Sequence, residues 1–432
     1  MKILVISLEV WRDDNNGGNV LSNIFRDFDG EFAQIFCSAG VPNNNICSRY
    51  FQMTDSMAIK NVLKKEKMGR VLQTVENEII EEENDRKLDD LKRRGSFEIL
   101  RIARECTWAM ADFVNAELDQ FVLEFGPDII FAPCYASHYM LGLTRHVADL
   151  TKKPVISYVS DDVYSLKHLR ISPLFWTNRF LLRRNMRRTW PYYSLIYTMT
   201  ETQKMEMEKV FSKPMKILRK HGDFERYESN KKIEYPIRMI YAGGIYLNRW
   251  KTLVKLAKQM QKINQNEVKM KLDIYTGNQL SKDAFSILND GRTSEVHPSI
   301  SQKELKEKYR KSDIALHVEG LDLKNRLNVR LSFSTKIVDC LESGCAVMAI
   351  CDPMQGGLVY LKDEDAAICV EHPKKIATTL KMICDNLNVI EEYRKKAFEC
   401  GKKNHMQHVI QNDMQKDFYD ICKTAENDLK EL

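Results

Sequence analysis

The sequence has no C-x-x-C pair and no zinc-ligand spacing, although it carries eleven cysteines. Its thiols are scattered, and Cys106, Cys134, Cys340 and Cys369 lie inside apolar segments. Such thiols act as small hydrophobes and fit a reducing compartment. No apolar run approaches the ~18 residues a membrane-spanning helix needs. The opening MKILVISLEV lacks a cleavage-site pattern, meets Glu9 at once, and reads as a first β-strand. Charge of one sign is also scarce, with 66 basic against 60 acidic residues and a net charge of +6. That balance argues against a nucleic-acid partner and leaves room for one local basic patch. The expected setting is cytoplasmic, with peripheral attachment to the inner membrane face as an open option.

What is present is an alternation of short apolar runs with longer helical ones, the pattern of α/β architecture with parallel sheets. The first half supplies KILVISL, FAQIFCS, DIIFAPC, PVISYVS and YSLIYTMT as strands. Between them, Phe97 to Phe125 has the spacing of one long helix. Residues 52–95, rich in Lys, Glu and Asp, read mostly as solvated helix. The polar stretch ERYESNKKIEYP resembles an interdomain linker. Strands then resume with IRMIYAGG, LDIYTG, SEVHP, DIALHVEG, CAVMAI and AAICVE. The expected organisation is two Rossmann-like domains, 1–225 and 236–400, facing each other across a cleft. A C-terminal helix within 401–432 would pack back on the first domain. Ligands of such sheets bind at the carboxyl ends of strands, so the loops after strands matter most.

Two of those loops carry phosphate-suited residues. SFSTKIVDCLESG puts Ser332, Ser334, Thr335 and Lys336 ahead of a helical pattern. Ser334 is the expected N-cap and Gly344 the C-terminal stop. The helix start, the hydroxyls and the lysine would suit an anion. Asp339 shares a face with Thr335 one turn on, and a carboxylate there suits ribose hydroxyls. A plain capped helix with an exposed lysine explains the same residues. YAGGIYLNRWKTL brings Gly243 and Gly244 off a strand, then Arg249 and Lys251. Arginine suits bidentate phosphate contact and lysine acts as a point charge. A glycine turn with surface basic residues is the alternative there.

From YAGGIYLNRWK through DCLESGCAVMAI, about residues 236–371, the second half resembles the nucleotide-sugar-binding domain of GT-B glycosyltransferases similar to glycosyltransferase family 4. The resemblance implies the GT-B architecture and retaining transfer of a hexosyl unit from a nucleotide sugar, with a UDP-linked donor as the expectation, in polysaccharide or glycoconjugate synthesis. The acceptor would be a glycan or a lipid-linked sugar. No cofactor and no metal are implied, only the nucleotide sugar as co-substrate. Asp339 would hold the donor ribose, Arg249 and Lys251 the diphosphate, with base contacts near Gly277 and His297. Glu319 in HVEG would face the sugar. Leu331 stands where the family carries its first acidic position. The loop at Gly17, Gly18 and Asn19 would approach the donor or the acceptor.

In the first half, SYVSDDVY places Asp161 and Asp162 after a strand, where either could orient an acceptor hydroxyl. A solvated turn is the competing reading. His138 follows another strand and could face the cleft, although a lone histidine is more often structural. Asp363 and Asp365 form a D-x-D in a charged loop, read as solvent-facing. The run His168 to Trp190 interleaves aromatics with six arginines, the composition of a helix lying on a membrane or packed with a basic outer face. Two other functions compete. A nicotinamide-dependent oxidoreductase needs a G-x-G-x-x-G after a first strand, and neither half supplies one. A catalytically silent binding subunit on the same fold stays open.

Overall fold

The computed structural model describes residues 1–13, 16–72, 98–225 and 232–430. The remainder of the charged 52–95 stretch and of the linker lies outside the described residues.

Fourteen strands form two sheets. The first runs β4-β3-β2-β1-β5-β6-β7-β8 and comprises β1 Lys2–Ser7, β2 Glu31–Phe36, β3 Arg49–Gln52, β4 Arg70–Leu72, β5 Ile129–Pro133, β6 Val155–Val159, β7 Tyr193–Thr198 and β8 Met215–Ile217. Only β4 is antiparallel to its neighbour. The second runs β11-β10-β9-β12-β13-β14, with β9 Ile237–Ala242, β10 Met270–Tyr275, β11 Ser294–His297, β12 Ile314–Val318, β13 Ala346–Ile350 and β14 Ile368–Val370, all parallel. Helices cover both faces, so β6, β12 and β13 are buried at every position. That is why these strands read as unbroken apolar runs. Each buried Val, Ile or Leu there contributes roughly 1.5–3 kcal/mol.

Both sheets reverse their winding once, between β1 and β5 in the first and between β9 and β12 in the second. Each reversal opens a crevice at the strand ends, where doubly wound sheets take ligands. The expected helix Phe97–Phe125 is two helices, Glu98–Met110 and Ala116–Phe125. The Asn115 side chain accepts the Leu118 N–H at 3.1 Å and starts the second one. Strands β3, β4 and β8 were not anticipated, being only three or four residues long.

The C-terminal helix Gln407–Lys430 lies against the first sheet. Its Phe418 ring meets Phe28 at 5.1 Å and Phe25 at 6.2 Å, and Asp417 accepts the Tyr197 hydroxyl at 2.8 Å. One apolar cluster therefore runs from Phe25 and Phe131 under the first sheet, through Phe418 and Phe224, to Phe333 and Ile337 under the second.

Candidate functional site

The crevice of the second sheet is built by two loops. After β9 the chain passes through Gly243, whose φ of +140° favours glycine. A Cβ at this position would sit 2.1 Å from the Lys336 ammonium nitrogen. The backbone thus yields the space that Lys336 occupies. Gly244 is as confined, since a Cβ there would meet the Tyr246 ring at 2.3 Å. The Asn278 side chain accepts the Ile245 N–H at 3.0 Å and ties this loop to the end of β10. After β12 the chain delivers Glu319 and Gly320, where the Leu247 carbonyl leaves no room for a side chain.

Arg249 opens the helix Arg249–Ile263 and is buried. Its Nε and one terminal nitrogen reach the two Glu319 oxygens, each at 2.9 Å. Burial opposes the arginine charge, and the Glu319 pair outweighs it and holds Arg249 above its ordinary value. Glu319 is itself buried, and its carbonyl accepts the Thr252 hydroxyl at 2.8 Å. Glu319, expected to face the sugar, has both carboxylate oxygens on Arg249.

Lys336 opens the short helix Lys336–Glu342 and hangs 5.6 Å from the Tyr241 ring centroid. Among the described residues no hydrogen bond or ion pair meets its ammonium. Burial first, and then the Arg249 charge, push it down to about 8, while Glu319 works the other way. The group Arg249, Lys336 and Glu319 carries one positive charge in excess, and Lys336 holds it. His317, one strand residue pair below Glu319, is buried with an unpartnered Nε2. Burial pushes it down to about 4, so it adds no charge at neutral pH.

Ser334 and Thr335 are half-buried beside Lys336, and their hydroxyls have no partner among the described residues. Ser334 is not the N-cap. Thr335 holds that position in a right-handed helical conformation without a side-chain cap bond. The Ser334 carbonyl instead accepts the Ile337 N–H at 2.9 Å in a tight first turn.

Other expected donor residues are placed elsewhere. Lys251 is exposed on the outer side of its helix, 5.4 Å from the Trp250 ring. Two helical steps of about 100° set it almost opposite Arg249. Ser332 donates to Asp161 at 2.8 Å across the domains, so its hydroxyl is spent on the seam. Asp339 is half-exposed one turn into its helix, and Lys220 from the stretch after β8 is ion-paired to it. Gly277 is exposed at the end of β10. The His297 ring stacks on Tyr275 with centroids 4.8 Å apart, and its Nε2 lies 3.0 Å from Asp273. That ring packs on the sheet face. Asp273, Glu295 and His297 bring ligand atoms within 4.8 Å of one another, the one group of metal-ligand character among the described residues. It sits on β10 and the edge strand β11, apart from the β9–β12 crevice.

Opposite lies the loop after β6. Asp161 is exposed and faces Ser332. Asp162 is buried and belongs to a different structure: it accepts the Ser165 N–H at 2.8 Å, and Arg179 and Arg330 each reach it at 3.3 Å. Arg330 also pairs with Glu206, with one contact at 2.9 Å. Arg330 comes from the second domain and its two carboxylate partners from the first. Asp162, expected as a catalytic candidate, is thus engaged by Ser165 and Arg179 within the first domain and by Arg330 across the seam. Leu331 is buried against the first domain, and its carbonyl accepts the Thr200 hydroxyl at 3.0 Å. His138 does not face the cleft. Its Nε2 lies 3.2 Å from Asn178 and its Nδ1 3.3 Å from Asn185, both on the helix Pro173–Thr189. Gly17, Gly18 and Asn19 fall in the first turn of the helix Asn16–Phe25, and their surroundings lie outside the described residues. Asp365 pairs with Lys396 at 2.6 Å, and Asp363 is exposed.

No family model matches the sequence, and no curated protein matches it. Solved structures do match along nearly the whole chain. Sucrose-phosphate synthase from Thermosynechococcus elongatus superimposes with a TM-score of 0.63 at 11% identity, over 98% of this chain and 99% of that one. HepE from Anabaena, in complex with UDP and glucose, gives 0.61 at 12% identity over 97% and 100%. An α,α-trehalose-phosphate synthase (UDP-forming) from Burkholderia xenovorans, in complex with glucose-6-phosphate, gives 0.58 at 10% identity over 96% and 100%. The chain has the GT-B fold of these glycosyltransferases.

Proposed function

We propose that this protein is a glycosyltransferase that moves a hexosyl unit from a UDP-sugar to a glycan or lipid-linked acceptor, with retention at the anomeric carbon. The carrying observation is the unpaired, desolvated Lys336 beside Arg249 at the crevice of the second sheet. Cleavage of a sugar–diphosphate bond develops negative charge on the distal phosphate. A preorganised cation in a low-dielectric site stabilises that charge strongly. Arg249, oriented by Glu319, and the hydroxyls of Ser334 and Thr335 would complete the cradle, so the reading routes no step through a metal ion. Asp339 would meet the ribose on its side away from Lys220. Asp161, the exposed acid of the β6 loop, would orient the acceptor hydroxyl. The UDP, glucose and glucose-6-phosphate complexes among the similar structures support a UDP donor and a sugar acceptor.

A binding subunit without turnover is the second reading, favoured by the engagement of both Glu319 and Asp162 in buried ion pairs. Two measurements decide. Thermal-shift titration with UDP and UDP-sugars should raise the melting temperature with ligand concentration. Release of UDP in the presence of acceptor sugars should follow. Stabilisation without release points to the binding subunit, and absence of both sinks the donor-site reading.

A further inference from the structure

The loop between β6 and the Pro173–Thr189 helix leaves an unusual amount of apolar surface in solvent. Leu166, Leu169, Ile171, Leu174, Phe180 and Leu181 are all exposed, and Ile171 is 97% exposed. Single exposed hydrophobes need no explanation, but six large ones within sixteen residues form a patch. The local sequence is also one-sided in charge. Residues 163–200 contain seven Lys and Arg and no Asp or Glu.

The structure divides those cations. Arg179 is buried on Asp162, and Arg183 is folded over the Tyr164 ring at 4.0 Å. Lys167, Arg184, Arg187 and Arg188 are exposed. On the helix, Leu174, Phe180 and Leu181 give way to Arg184 and Arg188 along the outer face. An apolar lip followed by basic residues on one face is the layout of an element lying in a bilayer interface. Among the described residues no helix is long and apolar enough to cross a membrane.

We propose that this lip, Leu166 to Leu174 with the outer face of the following helix, docks the first domain on an anionic lipid surface. Charge complementarity favours a lipid occupant over a second copy of this chain, because two such faces would bring their arginines together. The lip also borders a cavity of about 300 Å³ lined by Asp161, Leu166, Lys167, Arg183, Glu206 and Leu331. Leu166 and Lys167 belong to both. A docked lip therefore places a lipid-borne acceptor beside Asp161 at the domain seam. That second statement rests on the transfer reading above, and the docking does not.

The test is co-sedimentation of the full chain with phosphatidylcholine vesicles, with and without phosphatidylglycerol. Wild type should bind the anionic vesicles, lose binding at high salt, and ignore the neutral ones. Leu169→Glu/Ile171→Glu and, separately, Arg184→Glu/Arg188→Glu should each weaken binding by ~tenfold or more. Both variants should melt like wild type and keep the UDP-induced thermal shift. Wild-type binding to neither vesicle, or variants that bind as wild type does, overturns the proposal. So does a wild-type dimer in light scattering that Ile171→Glu dissociates, which assigns the face to a second copy. Failure of the UDP shift with vesicle binding intact refutes the transfer reading alone.

Discussion

Two groups of buried charge lie on either side of the cleft and are made of the same chemistry. In the second domain Arg249 and Lys336 share one carboxylate, Glu319. At the seam, Arg179 and Arg330 share two, Asp162 and Glu206. In the second group every member has a partner, and the exposed Lys167 also reaches Glu206 at 3.0 Å. The first is one carboxylate short, and Lys336 is left with only an aromatic face. A buried group whose charges are all paired holds parts together. One with an unpaired cation has room for an anion, which is the basis of the proposed donor site. The pairing of Asp162 is what ties it to the fold.

Breaking the paired group should cost stability. Arg330→Ala removes one cation from each of two carboxylates, leaving Arg179 on the buried Asp162 and Lys167 on Glu206, and should lower unfolding free energy by about 3 kcal/mol in urea denaturation. UDP affinity should change far less. A loss of UDP binding without loss of stability would collapse the distinction between the groups.

Lys336→Met tests the other side. It should weaken UDP binding by about 10²-fold in calorimetry and leave the melting temperature equal or higher, since it removes a desolvated charge. pH gives the same contrast within the wild type. Lys336 titrates near 8 in the folded chain against an ordinary 10.5. Between those values the unfolded chain holds a proton that the folded chain has released. Fold stability from this group therefore rises as pH climbs from about 8 to 10.5. Donor binding runs the opposite way and falls as pH rises through 8, because the anion needs the ammonium. Lys336→Met should abolish both slopes.

Smaller effects sharpen the site's outline. Gly243→Ala places a methyl where the Lys336 ammonium rests and at a φ that disfavours it. UDP affinity should drop roughly tenfold, with ~1 kcal/mol lost from the fold. Lys251→Ala should change affinity less than about twofold, since its charge is solvated on the far face of the helix. A large loss at Lys251 would mean that the helix turns on binding.

The strands were legible because both faces of each sheet are covered, which makes buried strands continuous in hydrophobicity. The glycine loop, Arg249 and Lys336 could be read as neighbours because each lies at a strand-end loop of one sheet. Lys251 was grouped with Arg249 by spacing, whereas helix geometry sets the two on opposite faces. The pairings were not legible. Arg330 meets Glu206 across 124 residues and Lys220 meets Asp339 across 119, and nothing local in either segment announces its partner. Glu319 was expected to face the sugar by family resemblance alone, and nothing in its segment announces that both its oxygens meet Arg249. The break at Asn115 was masked by apolar spacing that continues in phase across it.

Arg330 and Lys336 stand six positions apart on one uninterrupted stretch of backbone, with Leu331 and Ser332 bonded to the first domain between them. The clasp and the proposed anion site are thus two ends of a single short lever. If occupancy at one end shifts the lever, thermodynamic reciprocity requires that closure at the other end tighten the ligand by the same factor. Residence time of the nucleotide would then be set at the seam, by how often Arg330 lets go.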